Sequence, residues 1–146
     1  MAQENRELLI NDLCARLPFG IKVLYDTQVF EVQYIEPMYE EIKLLDNERY
    51  TLSIDEVKPY LFPLSSMTEE QAIELFNIFG ISLVDSIGAN YIKVNEITGI
   101  TLFFQNGFDV ETHLDKLIDW LHKNHFDYRG LIPKGLAEDA TDKNIY

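Results

Sequence analysis

Apolar positions recur at the helical period near the start of the chain and at a period of two directly after it. Ile10, Leu13, Cys14 and Leu17 fall at i, i+3, i+4 and i+7, with Leu9 beside them. That stripe predicts an amphipathic helix, ended by Pro18 and Gly20. Between Ile21 and Ile54 the pattern alternates. Ile21, Val23 and Tyr25, then Phe30, Val32 and Tyr34, then Ile42 and Leu44, then Tyr50, Leu52 and Ile54 mark four short strands. Turn residues at Asp26, at Glu36-Pro37 and at Asp46-Asn47 separate them. Connections this short leave no room for a crossover helix, so the strands should form an antiparallel meander. It lies flat beneath the first helix or curls into a small barrel of the Src-homology or Tudor kind. The same alternation assigns Tyr25, Phe30, Tyr34 and Tyr50 to the core face.

Pro59 and Pro63 forbid a long helix, so Asp55–Pro63 reads as one turn followed by an extended piece through Tyr60, Leu61 and Phe62. A boundary between two halves falls there. Thr68 with Gln71 three residues later forms a capping box, Met67 and Ala72 fit a hydrophobic staple, and Glu69 and Glu70 suit the positive end of a helix dipole. Ala72, Leu75, Phe76 and Phe79 then form the buried stripe, with Gly80 as its left-handed end. Residues 81–84, 91–94 and 100–104 return to a strand pattern. Asp109 is placed to cap a last helix with Val110, Leu114, Leu117, Ile118 and Leu121 on its apolar side, fraying near Asn124. The expected class is α+β: residues 1–62 a helix plus small sheet, 63–137 an α+β half with a docked C-terminal segment, and 138–146 a polar tail. Trp120, the only tryptophan, should be buried against Phe126–Leu131. Tyr39 and Tyr60, beside Pro37 and Pro59, should sit at loop edges, where aromatics can line a peptide groove.

Charge narrows the partners. Twelve Lys and Arg face 25 Asp and Glu, a net charge of −13, which excludes binding nucleic acid through phosphate neutralisation. A basic protein is the complementary partner. One cysteine excludes a disulfide framework, and Cys14 within the helical stripe reads as a small buried hydrophobe. No apolar run exceeds three residues, so no membrane span is expected, and the charged start predicts a cytoplasmic protein. Phosphate loops, dinucleotide fingerprints and nucleophile elbows are missing. His113 and His122, nine residues apart on one helix, point to opposite faces, and His122 with His125 and Asp119 meets the end of that helix, so neither set predicts a metal. No cofactor or catalytic residue is expected.

The C-terminal run His125-Phe126-Asp127-Tyr128-Arg129-Gly130-Leu131 carries too many apolar anchors for a free tail, and Asp127 and Arg129 are spaced for a local ion pair. Together with Asp12-Leu13-Cys14-Ala15-Arg16-Leu17-Pro18-Phe19-Gly20, Val57-Lys58-Pro59-Tyr60-Leu61, Ser65-Ser66-Met67-Thr68 and Asp119-Trp120-Leu121, it resembles an uncharacterised family of small proteins from gut anaerobic bacteria and their prophages or mobile elements. The resemblance implies a mobile-element accessory protein and carries over no activity and no site residues. The leading expectation is a non-enzymatic protein-interaction module, with Tyr39, Tyr60, Asp127, Tyr128 and Arg129 as its interaction candidates. An acidic decoy that occupies a DNA-binding protein is the alternative. A small enzyme gathering His113, Tyr60 and Asp55 is the second.

Overall fold

The first apolar stripe becomes helix α1 (Gln3–Arg16), followed by a 3-10 turn over Leu17–Phe19 that contains Pro18. Gly20 ends it at φ 76°, a conformation that side chains resist, with its N–H on the Leu17 carbonyl at 3.3 Å. In this computed structural model residues 1–78, 91–95, 99–103 and 114–146 are described. The architecture is α+β. Two compact units emerge: Met1–Phe62 together with Gly130–Tyr146, and Pro63–Arg129.

In the first unit the alternating segment forms β1 (Lys22–Tyr25), β2 (Gln28–Glu36), β3 (Glu41–Leu44) and β4 (Leu52–Ser53). Each pairs antiparallel with the next, as the short connections required. Asp26 and Thr27 turn the first hairpin with φ of 44° and 67°, the positive values that a two-residue type I′ connection needs. A 3-10 turn over Ile54–Glu56 follows. Its capping box has the Ser53 N–H donating to Glu56 Oε2 at 2.9 Å and Asp55 N–H donating to Ser53 Oγ at 3.4 Å. Strand β5 (Lys58–Pro63) then lies antiparallel to β1, giving the order β4-β3-β2-β1-β5.

Leu9, Ile10 and Leu13 of α1 pack with Ile21, Val23, Val32, Ile42, Leu44, Leu52, Ile54, Val57 and Leu61 into one buried cluster. A bulge between Val32 and Tyr34 corrects part of the alternation. One extra residue lets Val32 and Ile35 share the core side, paired with Leu44 and Ile42, and turns Tyr34 outward opposite Lys43. Tyr50 is 81% exposed, because the chain is still in the loop before β4 when it passes that residue. Tyr60 is also corrected: it is 7% exposed within β5, not at a loop edge. Cys14 is half-buried, and burial pushes its thiol pKa up, which suppresses the reactive thiolate.

The stretch from Gly130 onward is built into this first unit. Leu131, Leu136 and Ala137 join the core, and β9 (Glu138–Asp139) runs parallel to β5, pairing Glu138 with Tyr60 and Asp139 with Leu61. Residues 138–146, polar by composition, therefore do not form a loose tail. Tyr146 keeps 40% of its surface exposed but turns its hydroxyl inward, donating to the Tyr60 carbonyl at 2.9 Å and accepting from the Lys22 N–H at 3.2 Å. Burial of that hydroxyl raises its pKa to about 12, a rise which the Lys22 N–H and Arg16 oppose.

The sign of the pH effect follows from that rise. Below the ordinary value of 10 the group is protonated in both states. Between 10 and about 12 only the unfolded chain ionises, so stability should fall as pH rises through that window. Tyr146→Phe should cost about 1 kcal/mol at neutral pH and flatten the alkaline fall, as read from urea midpoints against pH.

In the second unit, Thr68 and Gln71 close the expected capping box: Thr68 N–H donates to Gln71 Oε1 at 2.9 Å and Gln71 N–H to Thr68 Oγ1 at 3.2 Å. Helix α2 (Glu69–Ile78) carries the fully buried Leu75. The side chains of Ala72, Phe76 and Phe79, the Gly80 terminus, residues 81–84 and the Asp109 cap lie outside the description. Strands β6 (Tyr91–Asn95) and β7 (Gly99–Phe103) form an antiparallel hairpin, as their pattern indicated. Helix α3 (Leu114–Lys123) packs on α2 and buries Leu117, Trp120 and Leu121. Trp120 stacks on Phe126 of the short strand β8 (Phe126–Asp127), with ring centroids 5.6 Å apart and planes at 16°. The anticipated cover over the tryptophan is thus present at Phe126. His125 at φ 59° ends the helix.

Candidate functional site

The interaction residues expected from sequence belong to different elements. Tyr39, 69% exposed, sits in a 3-10 turn over Pro37–Tyr39, whereas Tyr60 is inside the first unit's sheet. Asp127 is buried in the second unit. Arg129 is drawn to its neighbour's ring: its Nε donates to the Tyr128 hydroxyl at 2.9 Å, and its guanidinium carbon lies 5.3 Å from the ring centroid. His122 Nε2 reaches the same hydroxyl at 2.8 Å. This chain of three polar groups fastens the residues after α3 to the helix itself. Of the proposed catalytic set, Asp55 forms a bidentate ion pair with Arg6, and His113 lies outside the described residues. Among the described residues no group of three His, Cys, Asp or Glu side chains is placed to hold a metal ion.

An open cleft of about 330 Å³ lies instead at one end of the meander. The β1–β2 hairpin supplies Tyr25, Asp26, Gln28 and Phe30, and the β3–β4 connection supplies Asp46, Asn47, Glu48 and Arg49. Its formation follows from register. Val23 pairs with Phe30 and Tyr25 with Gln28, so both rings share the side on which Val23 is buried, Phe30 directly opposite it and Tyr25 two residues nearer the turn. The core therefore runs out into a pair of half-buried rings, 6.1 Å apart and tilted by 54°.

The facing loop is pinned rather than loose. Lys43 Nζ donates to the carbonyls of Asn47 at 2.9 Å and Arg49 at 2.5 Å, and Asn47 Oδ1 accepts from the Arg49 N–H at 2.9 Å. Arg49 then spans the cleft's edge, donating to the Tyr25 hydroxyl at 3.0 Å and to Glu56 at 2.8 Å. Glu56 first, and the Tyr25 hydroxyl second, hold the Arg49 pKa above its ordinary value, while Arg49 and the Ser53 N–H hold the Glu56 carboxyl below its own. Asp26, Asp46 and Glu48 form no ion pair among the described residues. The cleft thus is lined by two aromatic rings, three carboxylates without an ion pair among the described residues, and one guanidinium held by Glu56 and the Tyr25 hydroxyl.

The alternating pattern assigns Tyr25 and Phe30 to the core and Asp46-Asn47 to a turn. The signal for the cleft was available: carboxylates occupy both turns that flank an aromatic pair straddling a two-residue hairpin. A second feature was also missed, the fully buried Asp12–Arg16 pair on α1, with Arg16 Nε donating to Asp12 Oδ2 at 2.7 Å and its second nitrogen to Oδ1 at 3.1 Å. Asp12 and Arg16 stand three residues after Leu9 and Leu13, squarely on the apolar side of the helix.

Fold and cleft together define an α+β chain with a small antiparallel meander and a preformed surface recess. No known protein family, curated protein or solved structure matches the chain.

Proposed function

We propose that this chain is a non-enzymatic protein-interaction module, an accessory protein of a mobile element acting in the cytoplasm, and that the Tyr25–Phe30 cleft is its docking site. The observation that carries the reading is the pinned, open recess at the sheet's end, lined by two aromatic rings together with acidic side chains. Binding sites combine those two features: apolar area supplies affinity, and a few fixed polar groups supply orientation. The acid excess over the whole chain favours a basic protein as partner, through steering as well as contact. No helix among the described residues is long and apolar enough to cross a membrane.

Affinity capture from host cells at low salt tests the proposal. The intact chain should retain a specific protein that a high-salt wash releases. Glu48→Lys, an exposed change that leaves the core alone, should lose it. Equal retention by this variant would remove the cleft from the interface.

A further inference from the structure

We infer that the occupant of the cleft is a lysine or arginine side chain presented by a basic segment of the partner protein, its cationic head lying over the Tyr25 and Phe30 rings and against Asp26, Asp46 and Glu48. This rests on the docking reading above and assigns its ligand chemistry.

Three features converge on an organic cation. First, the half-buried Tyr25 and Phe30 rings, with centroids 6.1 Å apart and planes tilted by 54°, both line the recess. A cation above an aromatic face is attracted by the ring quadrupole, most strongly where water is partly excluded. Second, the three carboxylates lack ion pairs among the described residues, whereas the one cation of the lining, Arg49, is already satisfied by Glu56. An incoming positive charge therefore meets a net negative lining without displacing an existing pair. Third, these carboxylates do not converge into a metal-binding group. They are spread around a recess of about 330 Å³, a size that suits a long side chain with its stem and not a bare ion.

Charge also discriminates against other ligands. A phosphate or an acidic peptide would be driven off by Asp26, Asp46 and Glu48. A purely apolar side chain would cover the rings but would desolvate carboxylates without pairing them, which is costly. A lysine or arginine satisfies both halves of the lining, since its methylene stem covers apolar surface while its head stays polar.

The test is an amide chemical-shift titration of the intact protein with three synthetic peptides of one length: alternating lysine and alanine, the same peptide with every lysine acetylated, and a neutral peptide rich in proline and leucine. The lysine peptide should shift amides within 25–30 and 46–49 and saturate. Added salt should weaken it, because exposed charges are screened. The acetylated peptide should leave those amides still. Asp46→Asn and Glu48→Gln should each weaken binding by about threefold, the scale of one exposed ion pair. Phe30→Leu, which keeps the apolar contact to the core, should weaken it by about threefold through loss of the ring face. Saturation by the acetylated or neutral peptide at the same amides would overturn the cation assignment while leaving the docking site standing. Shifts confined to other acidic surface would also overturn it. If none of the three peptides touches the cleft, the assignment and the docking reading fall together.

Discussion

Arg16→Met should lower stability by about 3–5 kcal/mol, the range for breaking a buried ion pair by removing one partner. Both side chains of the Asp12–Arg16 pair have no exposed surface, and two hydrogen bonds lock the guanidinium fork onto the carboxylate. Methionine fills much of the arginine's volume, so the cost is chiefly that of a buried carboxylate deprived of its guanidinium. The prediction separates that cost from the net worth of the pair. Asp12→Leu combined with Arg16→Met leaves no stranded charge and should recover most of the loss, because well-packed apolar groups often replace a buried pair at little or no penalty. Urea unfolding with an unchanged m-value reads both variants on one scale. A small loss in Arg16→Met would mean that other groups take over the Asp12 carboxylate. No recovery in the double variant would mean that the pair positions something else, and Tyr146 is the first place to look, since both charges act on its hydroxyl.

Local signals carried the elements well and their partners less well. Pro18 with Gly20, the Asp26 turn and the Thr68–Gln71 box each act within a few residues, so the chain states them openly. The meander was legible for the same reason: short connections permit only antiparallel neighbours. Three features depended on contacts far apart in sequence. The bulge that turns Tyr34 outward responds to how β3 pairs, not to residues near Gln33. Tyr60 is buried because β1 on one side and β9 on the other enclose its strand, and β9 begins 78 positions later at Glu138. The cleft needed two separate turns to meet, and each alone looks like an ordinary solvated loop. The α+β class was therefore readable from the pattern, while the cleft was not.

Deleting residues 138–146 should destabilise the protein by about 3–5 kcal/mol, although the segment is mostly polar and composition alone marks it as dispensable. Four losses combine. The pairing of β9 with Tyr60 and Leu61 disappears. Leu61, fully buried, loses the Ala140 N–H that donates to its carbonyl at 2.8 Å. Ala140, 1% exposed, leaves a gap. The Tyr146 hydroxyl no longer bridges the Tyr60 carbonyl and the Lys22 N–H, and its ring leaves Phe62, 6.1 Å away, and the Lys22 ammonium, 5.8 Å from its centroid. Each hydrogen bond contributes about 1 kcal/mol, and a buried group left without a partner costs about 1–3 kcal/mol. The surface ion pairs of Glu138 with Lys58 and Lys143 add little, being half-exposed and longer than 3 Å. Shorter deletions should divide the effect. Removing residues 144–146 should reproduce the Tyr146→Phe loss plus the ring contacts, whereas removing 138–146 should add the larger backbone part. Thermal unfolding of the two truncated chains resolves them. If the longer deletion melted with the full chain, β9 would hold nothing in place, and the burial of Tyr60 would have to come from β1 and the core beneath it alone.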